Sequence, residues 1–192
     1  ERLDDRLAAF EAFGASLLAG SEDSTTREHF EALGEALGRA QEIVEVYERL
    51  SFDGSDRAET DEHAASYGLR AAELLEQQAA GLDRARELVA RVAEELGDSL
   101  ALLDRLEALS MRLEDWGGLV DVLTRRVDLL DSDADVVAVW HRVADLQREV
   151  LGAPSAAVEA YDRILEVDPD NARSIAGQER LFRQLGDHRA LA

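Results

Sequence analysis

The sequence predicts an all-α protein, a solenoid of antiparallel helix-turn-helix repeats with about nine helices. Apolar residues recur at steps of three and four along most of the 192 residues, the period of a helix with one buried side. Helix breakers are sparse, with two prolines in the whole chain. The chain also copies itself: an offset of 72 aligns residues 67–119 with 139–191 without a gap. In that alignment Ala72 meets Ala144, Ala85 meets Ala157, Leu109 meets Leu181 and Leu113 meets Leu185. Self-similarity at two units of about 36 residues is the mark of a repeat array.

Each element follows from its own spacing. Leu3, Leu7, Phe10 and Leu17 predict a helix over 2–19, stopped by Gly20-Ser21. Thr25 and Glu28 stand at the spacing of a capping box. Phe30, Leu33, Leu37, Ala40, Val44, Tyr47 and Ser51 keep one phase through Gly34 and Gly38, which predicts a single continuous helix over 26–51. Residues 1–51 then form an N-terminal hairpin, and the break in periodicity over 52–57 is a loop. Beyond it, helices are predicted over 58–79, 82–96, 99–113, 115–131, 134–151, 154–167 and 171–185. These group as repeats 58–96, 99–131, 134–168 and a partial 171–192. A pair with four or five large apolar residues, each worth roughly 1.5–3 kcal/mol when buried, does not offset the ordering of its backbone. Stacking on neighbours is required.

The stretch 139–171 is the most informative. Trp140, Val143, Ala144, Gln147 and Val150 share one side of a first helix, and Ala157, Tyr161, Ile164 and Leu165 one side of a second. Gly152 suits the left-handed end of the first, Pro154 the opening turn of the second, and Asn171 the cap of a third. This stretch resembles the tetratricopeptide repeat. Trp140, Val143 and Ala144 fall at its tryptophan, leucine and small positions, and Ala157, Tyr161 and Pro169 at the small, aromatic and proline positions of its second helix. It departs in having one extra residue between the halves, Gln147 at a usual aromatic position and Ile164 where alanine is preferred.

The resemblance implies a groove lined by the first helix of each pair. It places His141, Asp145, Arg148 and Glu149 in that groove and, counting the next copy from Ile175, Ala176, Arg180, Arg183 and Gln184. Arg173, Arg180 and Arg183 make this end locally basic on an acidic body, suited to a partner carboxylate. Trp116 and Trp140 fall at positions that pack helix on helix.

Charge and composition bound the partners. The net charge is -21, which repels phosphate backbones and anionic lipid and favours a basic protein or peptide. All 21 basic side chains are arginine, consistent with a GC-rich bacterial coding sequence, and no lysine is present for Schiff-base or phosphate-loop chemistry. With no cysteine there is no thiolate metal site or thiol nucleophile.

The remaining residues hold no complete chemical site. Glu59 and His63 stand four apart, two ligands where a metal site needs three or four. Asp53, Gly54 and Asp56 lack the ligand rhythm of a calcium loop. Adjacent carboxylates such as Asp4-Asp5 or Glu94-Glu95 point apart on a helix rather than across a cleft. The chain is therefore expected to be no enzyme, to take no cofactor, and to act in the cytoplasm, with export left open because it reads as a fragment of a longer protein. The expected function is a non-catalytic scaffold for a protein or peptide. The alternative is a self-assembling segment that supports oligomerisation or another domain.

Overall fold

The computed structural model describes residues 2–20, 23–52, 61–78 and 80–186. Two compact units meet in sequence at Gly97 and Asp98. Every regular element among the described residues is helical. The expected loop over 52–57 lies outside them except for Phe52, as do Asp53, Gly54, Asp56, Glu59 and the His63 side chain.

The first unit contains α1 (Arg2–Leu18), α2 (Ser24–Leu37), α3 (Ala40–Phe52), α4 (Asp61–Glu76) and α5 (Leu82–Leu96). Helix α1 turns Phe10 and Leu17 inward, whereas Leu3 is 67% exposed; the inward face begins a turn later than its leucine spacing suggests. Helix α2 starts earlier than the capping box predicts. The cap is Asp23, whose carboxylate accepts the Thr25 N–H at 3.2 Å and both threonine hydroxyls. Those bonds, the Thr25 backbone N–H foremost, hold the Asp23 carboxyl below its ordinary value.

The continuous helix expected over 26–51 is two helices. Gly38 takes φ 68°, a left-handed conformation, and so ends α2 without the Cβ penalty another residue would meet. The Gly38 N–H reaches the Glu35 carbonyl and the Arg39 N–H the Gly34 carbonyl at 2.7 Å. Gly34 makes the fold-back close: a Cβ there would lie 2.5 Å from Ile43 Cδ1. In one straight helix residues nine apart are separated by about 13 Å. The apolar stripe kept its phase because both halves face one interior, where Phe30, Ile43, Val44 and Tyr47 are buried.

Aromatic contacts and one ion cluster join these helices. Phe10 stacks on Phe30 at 4.6 Å, Phe30 meets Tyr47 edge-on, and Tyr47 tilts against Tyr67 at 5.4 Å. The Tyr47 hydroxyl donates to Glu31, and the Arg70 guanidinium donates to both oxygens of the same carboxylate. One side chain from each of α2, α3 and α4 therefore meets at a half-buried point. Arg84 makes a similar fork onto Glu48, tying α5 to α3.

The second unit contains α6 (Leu100–Arg112), α7 (Trp116–Val127), α8 (Asp133–Asp145), α9 (Pro154–Val167) and α10 (Ala172–Leu185). Side-chain caps open three of them: Ser99 accepts from Leu102, Asp115 from Gly118 and Asn171 from Ser174. Leu103, Leu106 and Leu109 of α6 are buried, as are Leu119, Val122 and Leu123 of α7. Leu119, Val120, Leu123, Val143, Ala144, Ala157, Ala160, Tyr161, Ile164 and Leu181 form one cluster, with Trp116 and Trp140 packed partly buried against it. Four successive helices thus share a single interior. The offset of 72 is reproduced in burial at three of the four pairs, Ala72 and Ala144, Ala85 and Ala157, and Leu109 and Leu181, but not at Leu113 and Leu185, since Leu185 is 46% exposed near the end of α10.

Helix α8 does not end at Asp145 but runs on as a π-helical turn over Leu146–Val150. A π turn accommodates one surplus residue inside an α-helix, and one surplus residue is what separates the two halves of this stretch from repeat spacing. The turn closes with the Leu151 N–H on the Leu146 carbonyl and the Ala153 N–H on the Gln147 carbonyl at 2.7 Å. It also rotates Val150 off the apolar face predicted for it, leaving it 49% exposed, while Leu146 packs on the core.

Candidate functional site: a basic pocket on helices 8 to 10

Asp145 stands where α8 passes into the π turn, the turn places Arg148 one turn on, and α10 enters from its Asn171 cap with Arg173 at its start. A cavity of about 290 Å³ lies among them, bounded by Asp145, Arg148, Tyr161, Arg173, Gly177 and Arg180. Ala176 also borders it.

Asp145 organises the basic groups. One of its oxygens accepts from Arg148 at 3.1 Å and the other from Arg173 at 2.7 Å. Arg148 also donates to Glu149 at 2.5 Å, and this bond chiefly raises the Arg148 pKa. Each guanidinium has five N–H donors, so both keep donors to spare. Arg180 is exposed and has no hydrogen-bond or ion-pair partner among the described residues. Three guanidiniums against one lining carboxylate make a positive spot on a chain of net charge -21.

The far wall depends on a glycine. A Cβ at Gly177 would lie 2.6 Å from Tyr161 Cζ, so the absence of a side chain lets α10 lie against the phenol ring. Gly177 inside a helix costs about 1 kcal/mol relative to alanine. That local cost was the sequence signal for this contact, and spacing alone passed over it. Tyr161, assigned only to packing, also borders the pocket.

The other groove residues expected from the sequence are placed differently. His141 is 8% exposed and faces the core, its ring edge-on to Tyr161 at 6.2 Å. Burial first, and the Arg173 charge second, hold its imidazole below the ordinary 6.5, against the opposing pull of Asn171 and Asp145. Its Nδ1 has no hydrogen-bond partner among the described residues. Glu149 is exposed and bonded to Arg148. Arg183 pairs with Glu179 one turn back at 2.9 Å and does not border the cavity. The count from Ile175 also misplaces the inward face of α10. Ile175 is 41% exposed, while Ser174, Gly177 and Leu181 are buried.

No helix among the described residues is long and apolar enough to cross a membrane. No protein-family model and no curated protein matches the chain. Two solved structures of MamA are similar to it, one at 13% identity over 80% of this chain and 82% of that one. The other is at 14% identity over 80% and 77%, and both have a TM-score of 0.38.

Proposed function

We propose that this chain is a non-catalytic helical repeat scaffold of the tetratricopeptide type that binds a protein or peptide. In this reading residues 1–51 form an N-terminal hairpin, residues 58–192 carry the repeats, and the pocket around Asp145 receives a carboxylate of the partner. The observation that carries it is Arg180, a guanidinium without a partner among the described residues on the same 290 Å³ pocket as Arg148 and Arg173. Two of the three arginines are already held in place by Asp145. Planar guanidiniums fixed in this way are suited to forked recognition of a carboxylate.

The test is calorimetric titration with an acetylated tetra-alanine peptide carrying a free C-terminal carboxylate, beside the same peptide amidated. The free acid binds and the amide does not. Arg180→Ala weakens binding by about tenfold, equivalent to about 1.4 kcal/mol. Arg183→Ala leaves it unchanged, since Arg183 does not border the pocket. Equal binding of acid and amide, or full binding by an R173A/R180A variant, overturns the reading.

A further inference from the structure

A second cavity in the same unit, lined by none of the residues of the Arg180 pocket, has the opposite character. It measures about 490 Å³ and lies on α7, α8 and α9. Its apolar lining comes from Val120 of α7, Val143 of α8 and Ala156 and Ala160 of α9, with the Trp140 indole beside them. Val120, Val143 and Ala160 belong to the buried core, so this part of the cavity is rigid. Trp140 packs on that core, remains partly exposed and borders the cavity.

The rim is acidic. Glu159, Asp162 and Glu166 recur at steps of three and four along α9 and all border the cavity, so they share one helix face. The one cationic group on the lining among the described residues is Arg163, which pairs with Glu166 at 3.1 Å. Asp162 accepts from Gln178 at 2.5 Å. Glu159 is exposed and without a partner among the described residues. An indole beside an aliphatic surface, ringed by three carboxylates and one guanidinium, is complementary to an alkyl stem ending in a cation. The stem covers the apolar surface, the charge meets the ring face, and the carboxylates complete the contact.

We infer that this cavity is a second partner-binding site, which takes a lysine or arginine side chain of a bound polypeptide against Trp140, Glu159 and Glu166. It goes beyond the carboxylate reading and stands or falls separately from it. The chain's own charge points to the same occupant, since a net charge of -21 draws basic segments to the whole surface and this cavity supplies the apolar contact that a solvated face lacks.

The chain has two tryptophans, so its indole N–H resonances report the site and an internal control. Trp116 does not border the cavity. The probe is the capped pentapeptide acetyl-Ala-Leu-Lys-Leu-Ala-amide, compared with the same peptide carrying norleucine or glutamate in place of lysine. The Trp140 resonance moves saturably with the lysine peptide, with a Kd on the order of 1 mM, and the Trp116 resonance stays. The variant E159Q/E166Q weakens binding about threefold or more, as expected for two exposed ion contacts. The variant E35Q/E94Q, which removes the same charge elsewhere, leaves it within about a factor of 1.5. Arg163→Ala, which frees Glu166, tightens it. Equal weakening by both charge-removing variants, equal binding of the norleucine peptide, or no saturable movement of Trp140 overturns the inference.

Discussion

The Tyr47 hydroxyl donates to the Glu31 carboxylate at 2.8 Å, joining α3 to α2 across the break at Gly38. Tyr47 is fully buried, so its hydroxyl has no water to turn to. Burial first, and the hydrogen bond to Glu31 second, push its pKa far up, and it remains a neutral donor throughout the physiological range. Tyr47→Phe keeps the ring contacts to Phe30 and Tyr67 but removes one donor from Glu31. The expected cost is about 1 kcal/mol, measured as a lower urea midpoint with an unchanged slope.

Glu31 should make stability depend on pH. Burial is the largest single effect and raises its pKa, but the Arg70 and Tyr47 hydrogen bonds and the charges of Arg70 and Arg27 together outweigh it, and the net direction is down from 4.5. A carboxyl lowered in the folded state contributes stability that is fully present above its unfolded pKa and is lost as pH falls through its folded pKa. Glu31→Gln is therefore less stable than the parent at pH 7, and the gap closes below pH 4.5. Paired thermal melts across that range check the prediction; a gap independent of pH overturns it.

How much of this was legible in the sequence depended on whether the signal was periodic. Spacing recovered the helices around Tyr67, Leu88, Leu103, Leu123 and Tyr161, because their buried positions repeat at helical intervals and nothing interrupts the count. The break at Gly38 escaped because both helices around it face one core, so a fold-back and a straight helix leave the same apolar pattern. The glycine pair Gly34 and Gly38 carried the information instead, one by its left-handed φ and the other by its contact with Ile43. The pocket brings together Asp145, Arg148 and Arg180, which repeat spacing singles out, and Arg173, which charge alone singles out. His141, singled out by the same spacing, packs edge-on against Tyr161. Arg183, counted from Ile175 as Arg180 is, pairs with Glu179 and does not border the cavity.

Gly177 and Tyr161 should be energetically coupled. Gly177→Ala puts a methyl 2.6 Å from Tyr161 Cζ, and overpacking of this kind costs about 1–3 kcal/mol. In a Tyr161→Leu background the same change loses its clash and gains the helix preference of alanine, about 1 kcal/mol. A double-mutant cycle by chemical denaturation should give a coupling of about 2 kcal/mol or more. Additive effects would show that α10 does not rest on the phenol ring.

His141 predicts a second pH effect, at milder acidity. Its folded pKa lies below the ordinary 6.5, so between those two values the unfolded chain binds the proton and the folded chain does not. Stability is complete above about pH 6.5 and falls as pH drops through that window. His141→Gln should remove the dependence while leaving the Glu31 effect intact. Hydrogen exchange of α8 and α9 amides at pH 7 and pH 5.5 separates the two, since the loss should be confined to the parent protein.

The π turn over Leu146–Val150 acts as a slack loop in a wound cord. It swallows the surplus residue inside the helix, so the link Leu151–Ala153 and the whole of α9 keep the bearing they would have in a shorter chain. Anyone numbering outward from Trp140 overshoots by one place on crossing it, a heading error of about 100°. That error turns Val150 to solvent where arithmetic puts it inside. Removing one residue from 146–150 should leave the downstream helices where they stand, whereas removing one from the middle of α9 would swing Tyr161 and Ile164 out of the interior they now fill.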